Sequence, residues 1–210
     1  MAKTMLASGI TNGQIDDLAN KLRDAARKHR DEFGKDASQE ALRSPNIGMQ
    51  LLSVFRKLVE DVSKSIVRVV FVNRSRSPSE ALKASGHTLY VSDSVVDAMP
   101  RGKGKKVKLV YFKPDPSVYQ SGWLSCAKLD EEYKKRGLVP DPQAQIDDNA
   151  ANPAFADDMP NACQWKDNDG NWCCAVFFRW DGERCVDVNR NDVDWGDRWA
   201  FAGVPQESST

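Results

Sequence analysis

Long apolar runs are missing from this chain. No stretch reaches the roughly 18 apolar residues that span a bilayer, and the opening Met1-Ala-Lys-Thr-Met-Leu-Ala-Ser-Gly-Ile is too short and polar for a secretory leader. Histidine is scarce, with only His29 and His87, and the five cysteines (126, 163, 173, 174, 185) are odd in number with two adjacent. Adjacent cysteines far from either histidine lack the spacing of a zinc ligand set. The same usage suits a reducing, cytoplasmic setting better than a disulfide framework. Net charge is absent as well, 30 Lys+Arg balancing 30 Asp+Glu over 210 residues. That balance hides a split: residues 1–113 carry 21 basic and 12 acidic side chains, residues 114–210 carry 9 and 18. With 40% hydrophobic residues, the chain is long enough to bury a core without metal or disulfide staples, and the composition argues against a disordered, collagenous or coiled-coil protein.

What is present falls into three stretches. From Gln14 to Phe33 the apolar residues Ile15, Leu18, Ala19, Leu22, Ala25 and Ala26 recur three and four apart after Thr11-Asn-Gly, which predicts an amphipathic helix. A second helix is expected from Ile47 to Val62, after Ser44-Pro-Asn. From Ser65 the pattern turns β-branched, and Ile66 to Val72 reads as a buried strand. Ser77 or Ser79 can cap a short helix ending at Gly86, and Thr88–Val91 and Val107–Phe112 are strand-like. Residues 113–122, with Pro114 and Pro116, read as a linker at the charge switch. Beyond it, a short helix from Leu129 to Arg136 precedes a Pro- and Asp-rich stretch from Pro140 to Pro160. Two hairpin turns follow, at Asp167-Asn-Asp-Gly170 and Asp181-Gly182. The polar segment Asn189–Arg198 lacks a clean period and is expected to be an ordered loop pinned by Trp195 and Trp199.

Few motifs promise chemistry. Asp167-Asn-Asp-Gly170 resembles a calcium loop, but in that register Trp165 and Val176 fall on the first and last ligand positions and neither supplies an oxygen. A bare turn is favoured, and an Asp192, Asp194, Asp197 cation site is disfavoured. Cys173-Cys174 read as small buried hydrophobes, one on each side of a strand, with a reactive pair as the alternative. Arg101-Gly-Lys-Gly-Lys-Lys lacks phosphate-loop spacing. With Arg74, Arg76 and Lys108 it forms a basic cluster that could touch nucleic acid, and a solvated hairpin tip is favoured.

The C-terminal third is the most informative. Residues 165–204 hold five of the six tryptophans among Asn, Asp and Gly, a mixture of rigid anchors and adaptable hydrogen-bonding groups found on recognition surfaces. Trp165-Lys-Asp, Trp172-Cys-Cys-Ala-Val-Phe-Phe-Arg-Trp-Asp-Gly-Glu-Arg184 and Val186-Asp-Val-Asn-Arg-Asn-Asp-Val-Asp-Trp-Gly-Asp-Arg-Trp-Ala-Phe-Ala-Gly203 together resemble the variable region of diversity-generating retroelement variable proteins. The resemblance covers the last 45 residues or so. It implies a C-type-lectin fold, although the Gly-Gly-x-Trp element common in such domains is absent. It also implies a segment rewritten by a reverse transcriptase that errs at template adenines. Codons of the AAC type then yield Asn, Asp, Gly, Val, Ala, Arg, Cys, Ser or Tyr, but never Lys, Glu, Gln, Met or Trp. From Arg184 to Val204 none of Lys, Glu, Gln or Met occurs, though they make up 37 of the 210 residues.

The expected architecture is α+β: an N-terminal helical segment (1–64), a basic α+β block (65–113) and a C-type-lectin-like mixed domain (114–210) whose variable segment covers about 180–204. The resemblance implies a binding protein rather than an enzyme, with no catalytic residue, cofactor or metal. Its contacts would come from Asp181, Cys185, Asp187, Asn189, Asn191, Asp192, Val193, Asp194, Gly196, Asp197, Arg198 and Ala200, about half of them facing outward, on a scaffold of Trp180, Trp195 and Trp199. The expected ligand is a macromolecule, a protein first and nucleic acid disfavoured; oligomeric state is left open. Two alternatives stand beside it: nucleic-acid binding through Arg101, Lys103, Lys105 and Lys106, and an enzyme of the formylglycine-generating type using the Cys pair.

Overall fold

A computed structural model describes residues 10–63 and 65–206, and the chain divides into two compact units, residues 1–63 and 64–210. In the first unit, α1 (Asn12–Lys28) starts at a capping box in which Thr11 and Gln14 satisfy each other's backbone N–H groups. It ends at His29, before a 3-10 turn at Arg30–Glu32, so the expected helix to Phe33 is shorter. A helix that periodicity did not reveal, α2 (Lys35–Arg43), leads to α3 (Ile47–Ser63), which starts where expected.

The second unit is mixed α+β. In chain order it holds β1 (Ser65–Phe71), α4 (Pro78–Ala84), β2 (Thr88–Val91), α5 (Asp93–Asp97), β3 (Lys106–Phe112), β4 (Trp123–Leu124), α6 (Cys126–Lys135), β5 (Leu138–Val139), α7 (Pro142–Ala151), α8 (Phe155–Asp158), β6 (Asn161–Lys166), β7 (Trp172–Trp180), β8 (Glu183–Arg190), β9 (Trp195–Gly196) and β10 (Ala200–Pro205). The main sheet runs β1-β3-β10-β6-β7-β8-β2, with β5 also on β10; β10–β6 and β2–β8 are parallel and the other pairs antiparallel. Of the two candidate caps before α4, Ser77 takes the role, in a capping box with Glu80. Residues 113–122 are not a boundary between domains. Phe112 before them and Phe201 after them are ladder partners, so 65–113 and 114–210 share one sheet.

Two cores sandwich that sheet. On one face Leu82 of α4, Val95 and Val96 of α5, Ile146 of α7 and Ala156 of α8 pack on Trp165, Ala175, Phe177, Val186 and Val188; Tyr111, Leu109 and Cys163 extend this layer toward β1. On the other, Leu129 and Tyr133 of α6 join Leu124 and Trp195 over Phe112, Ala162, Cys174, Val176 and Phe201. Glycine is needed at position 203, where a Cβ would stand 2.9 Å from Tyr133 Cε1 and 3.1 Å from the Val139 carbonyl. No helix of the described residues is long and apolar enough to cross a membrane.

The Pro- and Asp-rich stretch contains a buried helix, α7. Its start is ordinary: Pro142 sits in the first turn and the Asp141 carboxylate accepts from the Ala144 N–H. Its buried residues are mostly polar, Gln143, Gln145, Asp148 and Asn149 lying beside Pro142, Ala144 and Ile146, so no apolar period marked it. Side chains of the strands and of the turn after β1 supply the partners. Arg74 forks onto Asp141 at 2.8 and 2.5 Å, Arg68 reaches Asp148 at 3.2 Å, and Tyr111 donates to Asp148 at 2.8 Å. Gln145 and Asn149 both donate to Asn161 Oδ1, at 2.8 and 3.1 Å. The network is not complete, since Gln143 Oε1 and Gln145 Oε1 are buried without a hydrogen-bond partner, and each such atom costs stability that the paired members must offset.

Candidate functional site

The expected contact residues lie on β8 and on the segment joining it to β10. Along β8 the side chains alternate: Arg184, Val186 and Val188 turn toward the α4, α5 and α8 side, where Arg184 donates to Asp157, while Cys185, Asp187 and Asn189 turn to the other face. Asn189 bridges two strands there, its Nδ2 donating to Asp187 Oδ1 at 2.5 Å and to the Tyr90 carbonyl at 3.2 Å. Both Asp187 and Asn189 are half-buried.

After β8 the chain is held at both ends. Asn191 donates its backbone N–H to the Trp172 carbonyl at 2.8 Å and its side-chain N–H to Cys126 Sγ at 3.1 Å. Trp195 is buried, its Nε1–H donating to Gln164 Oε1 at 2.7 Å, and Gln164 in turn donates to the Cys126 carbonyl at 2.9 Å. The Trp195 ring meets Phe201 and Trp199 edge-on, at 5.3 and 6.0 Å between centroids, and Trp199 meets Phe178 at 6.3 Å. β9 pairs with β4, placing Leu124 opposite Trp195 and Trp123 opposite Gly196. Between these fixed points Asp192, Val193, Asp194, Asp197 and Arg198 are exposed, with the Arg198 guanidinium 4.5 Å from the Trp199 ring centre.

Four of the expected roles change. Cys185 and Ala200 are each 1% exposed and offer a ligand nothing to touch: β2 flanks Cys185 in parallel register, and Ala200 opens β10 in the middle of the sheet. Asp181, with φ 46° ahead of Gly182 with φ 83°, forms the tight β7–β8 turn at the far end of β8. Eight residues of strand put it about 25 Å from the Trp195 loop. Trp180 sits at that same far end, 67% exposed, and is no scaffold for the loop. The structure instead brings in Trp123, 56% exposed, whose ring lies 3.9 Å from where a Cβ at 196 would stand, and the half-exposed Tyr90 beside Asp187. Trp123 occupies a two-residue strand between turns, where no periodicity could mark it.

The competing chemistries fare differently. Asp167 Oδ1 accepts from the N–H groups of Asp169 and Asn171, at 3.0 and 2.8 Å, and the Asn171 side chain holds its carboxyl below the usual carboxylate range. Its oxygens thus serve the turn. No group of three or more potential metal ligands occurs among the described residues. All five cysteines are free and buried. Burial pushes the Cys174 thiol up to about 12 and raises Cys173 as well, so both stay protonated and are poor nucleophiles at neutral pH. In the basic cluster Arg74 is committed to Asp141, and Arg101 donates to the carbonyls of Arg74 and Arg76, at 2.7 and 2.5 Å. Arg101, Lys103, Lys105 and Lys106 of that segment are all exposed, Lys106 with its ammonium 5.5 Å from the Phe71 ring centre.

No protein-family model matches the chain, and no curated protein or solved structure matches it.

Proposed function

We propose that this chain is a ligand-binding protein whose segment from about 180 to 204 is diversified by adenine-directed mutagenic reverse transcription, as in diversity-generating retroelements, and that its second unit is C-type-lectin-like. One observation carries the reading. In the segment that lacks Lys, Glu, Gln and Met, the two tryptophans whose codons contain no adenine interlock with the core, while Asp197 and Arg198 between them and Asp192, Val193 and Asp194 before them stand in water. A surface can be rewritten repeatedly only if its changing side chains bear no packing load, since buried substitutions cost several kcal/mol and exposed ones about 0.5 or less. The contact set therefore contracts to Asp187, Asn189, Asn191, Asp192, Val193, Asp194, Gly196, Asp197 and Arg198, with Cys185 and Ala200 held by packing and Trp123 and Tyr90 added as fixed neighbours.

A lectin-like second unit is supported by the pairing of β3 with β10, which closes the chain between them into a loop carrying α6, α7, α8 and the β6-β7-β8 meander. The ligand is a macromolecule, a protein first, because an open polar face with aromatic neighbours suits a standard interface better than an enclosed pocket. Binding here needs no cofactor, metal or catalytic group, and five unpaired thiols fit a reducing, cytoplasmic setting. Sequencing the locus tests this. A reverse-transcriptase gene and a near-copy of codons 180–204, differing at adenines, are expected beside the gene. A locus without both overturns the diversification.

A further inference from the structure

The first unit lacks what the second has. No side chain from residue 10 to 59 is buried, and eleven large apolar ones are exposed: on α1 and α3 these include Ile15, Leu22, Leu51, Val54 and Leu58. A domain of about 60 residues ordinarily buries about 60% of its unfolded surface. Helices of 17, 9 and 17 residues draw their stability from packing an apolar face, not from propensity. The spacing on both long helices fits a partner helix. Ile15, Leu18, Leu22 and Ala25 follow each other by three, four and three, and Ile47, Leu51, Val54 and Leu58 by four, three and four, which is the seam that packs knobs into holes.

We infer that residues 10–63 form a self-association module in which α1 and α3 of two copies build a four-helix core. Equal lengths favour this occupant, because two 17-residue helices per chain give four matched helices per pair. Area agrees: about half of each of the eight that lie on α1 and α3 remains in water, leaving on the order of 600–800 Å² per copy against the ~800 Å² per partner of a standard interface. Charge permits it too, since residues 10–63 carry nine Lys+Arg and nine Asp+Glu, and identical copies do not repel. The inference stands independently of the proposed function, and a pair would present two binding faces at once.

Sedimentation equilibrium on the full chain is the test. The expected mass is twice 23.4 kDa. Leu51→Glu with Leu58→Glu should give the single-chain mass, with tryptophan fluorescence of the second unit unchanged. The milder Leu51→Ala with Leu58→Ala should raise the dimer dissociation constant by about a hundredfold or more, at tenfold per 1.4 kcal/mol. A wild-type chain that stays single at ~100 µM, or pairs in three or more copies, overturns the inference. So does a Glu double variant that still pairs.

Discussion

Two stretches of this protein look alike in composition and end in opposite environments. Residues 140–152 and 189–198 are both rich in Asp and Asn and poor in large apolar side chains. The first forms α7, with Asp141, Gln143, Gln145 and Asn149 fully withdrawn from water; the second forms the loop that exposes Asp192, Asp194 and Asp197. Partners make the difference. Arg68, Arg74, Tyr111 and Asn161 converge on α7 from neighbouring elements, whereas the loop is anchored through the Asn191 backbone N–H and two tryptophans and leaves its acids to solvent. Polarity in a sequence therefore does not mark a surface, and burial of polar groups follows where hydrogen-bonding partners are supplied.

The comparison breaks most sharply at its charged members. Asp141→Ala strips Arg74 of its fork and α7 of its cap, and should cost about 3–5 kcal/mol in urea unfolding, because the arginine is left nearly buried without its partner. Trp195→Ala should cost a similar ~3–5 kcal/mol. Trp195→Phe keeps the ring but orphans Gln164 Oε1 and should cost about 2 kcal/mol, separating the hydrogen bond from the packing.

These expectations also show what the sequence could and could not convey. Helices α1 and α3 and the β6-β7-β8 hairpins were readable because apolar period and turn residues at Asp167–Gly170 and Asp181-Gly182 agree with the fold. α7 was not, since Gln143, Gln145, Asp148 and Asn149 outnumber its one large buried aliphatic, Ile146. Nor was the union of 65–113 with 114–210, which rests on β10 returning beside β3 across nearly ninety residues. At the site, Trp195 and Trp199 were recognisable as anchors. The burial of Cys185 and Ala200, and the arrival of Trp123 and Tyr90, depend on strand neighbours that no local pattern encodes.

Titration gives a smaller effect of known sign. Burial holds the Cys174 thiol at about 12 against an ordinary 9.0, and Tyr111 and Tyr133 are raised too. The unfolded chain releases these protons first, so stability declines as pH climbs from 9 toward 12. Urea midpoints across that range should fall steadily, and thiol labelling at pH 8 should be slow until the protein is unfolded. The smallest effect belongs to the loop: Asp192→Ser, Asp194→Ser and Asp197→Ser should each move stability by no more than about 0.5 kcal/mol.

The central claim is that the exposed and half-buried members of the 187–198 segment are free to vary while its tryptophan anchors are not. Deep sequencing of sibling copies of the gene reads this directly. Substitutions are expected to concentrate at Asp187, Asn189, Asn191, Asp192, Val193, Asp194, Gly196, Asp197 and Arg198, with Trp195 and Trp199 unchanged and Cys185 and Ala200 restricted to small residues. Substitutions spread evenly along the chain, or reaching Trp195 as often as Asp194, would contradict it.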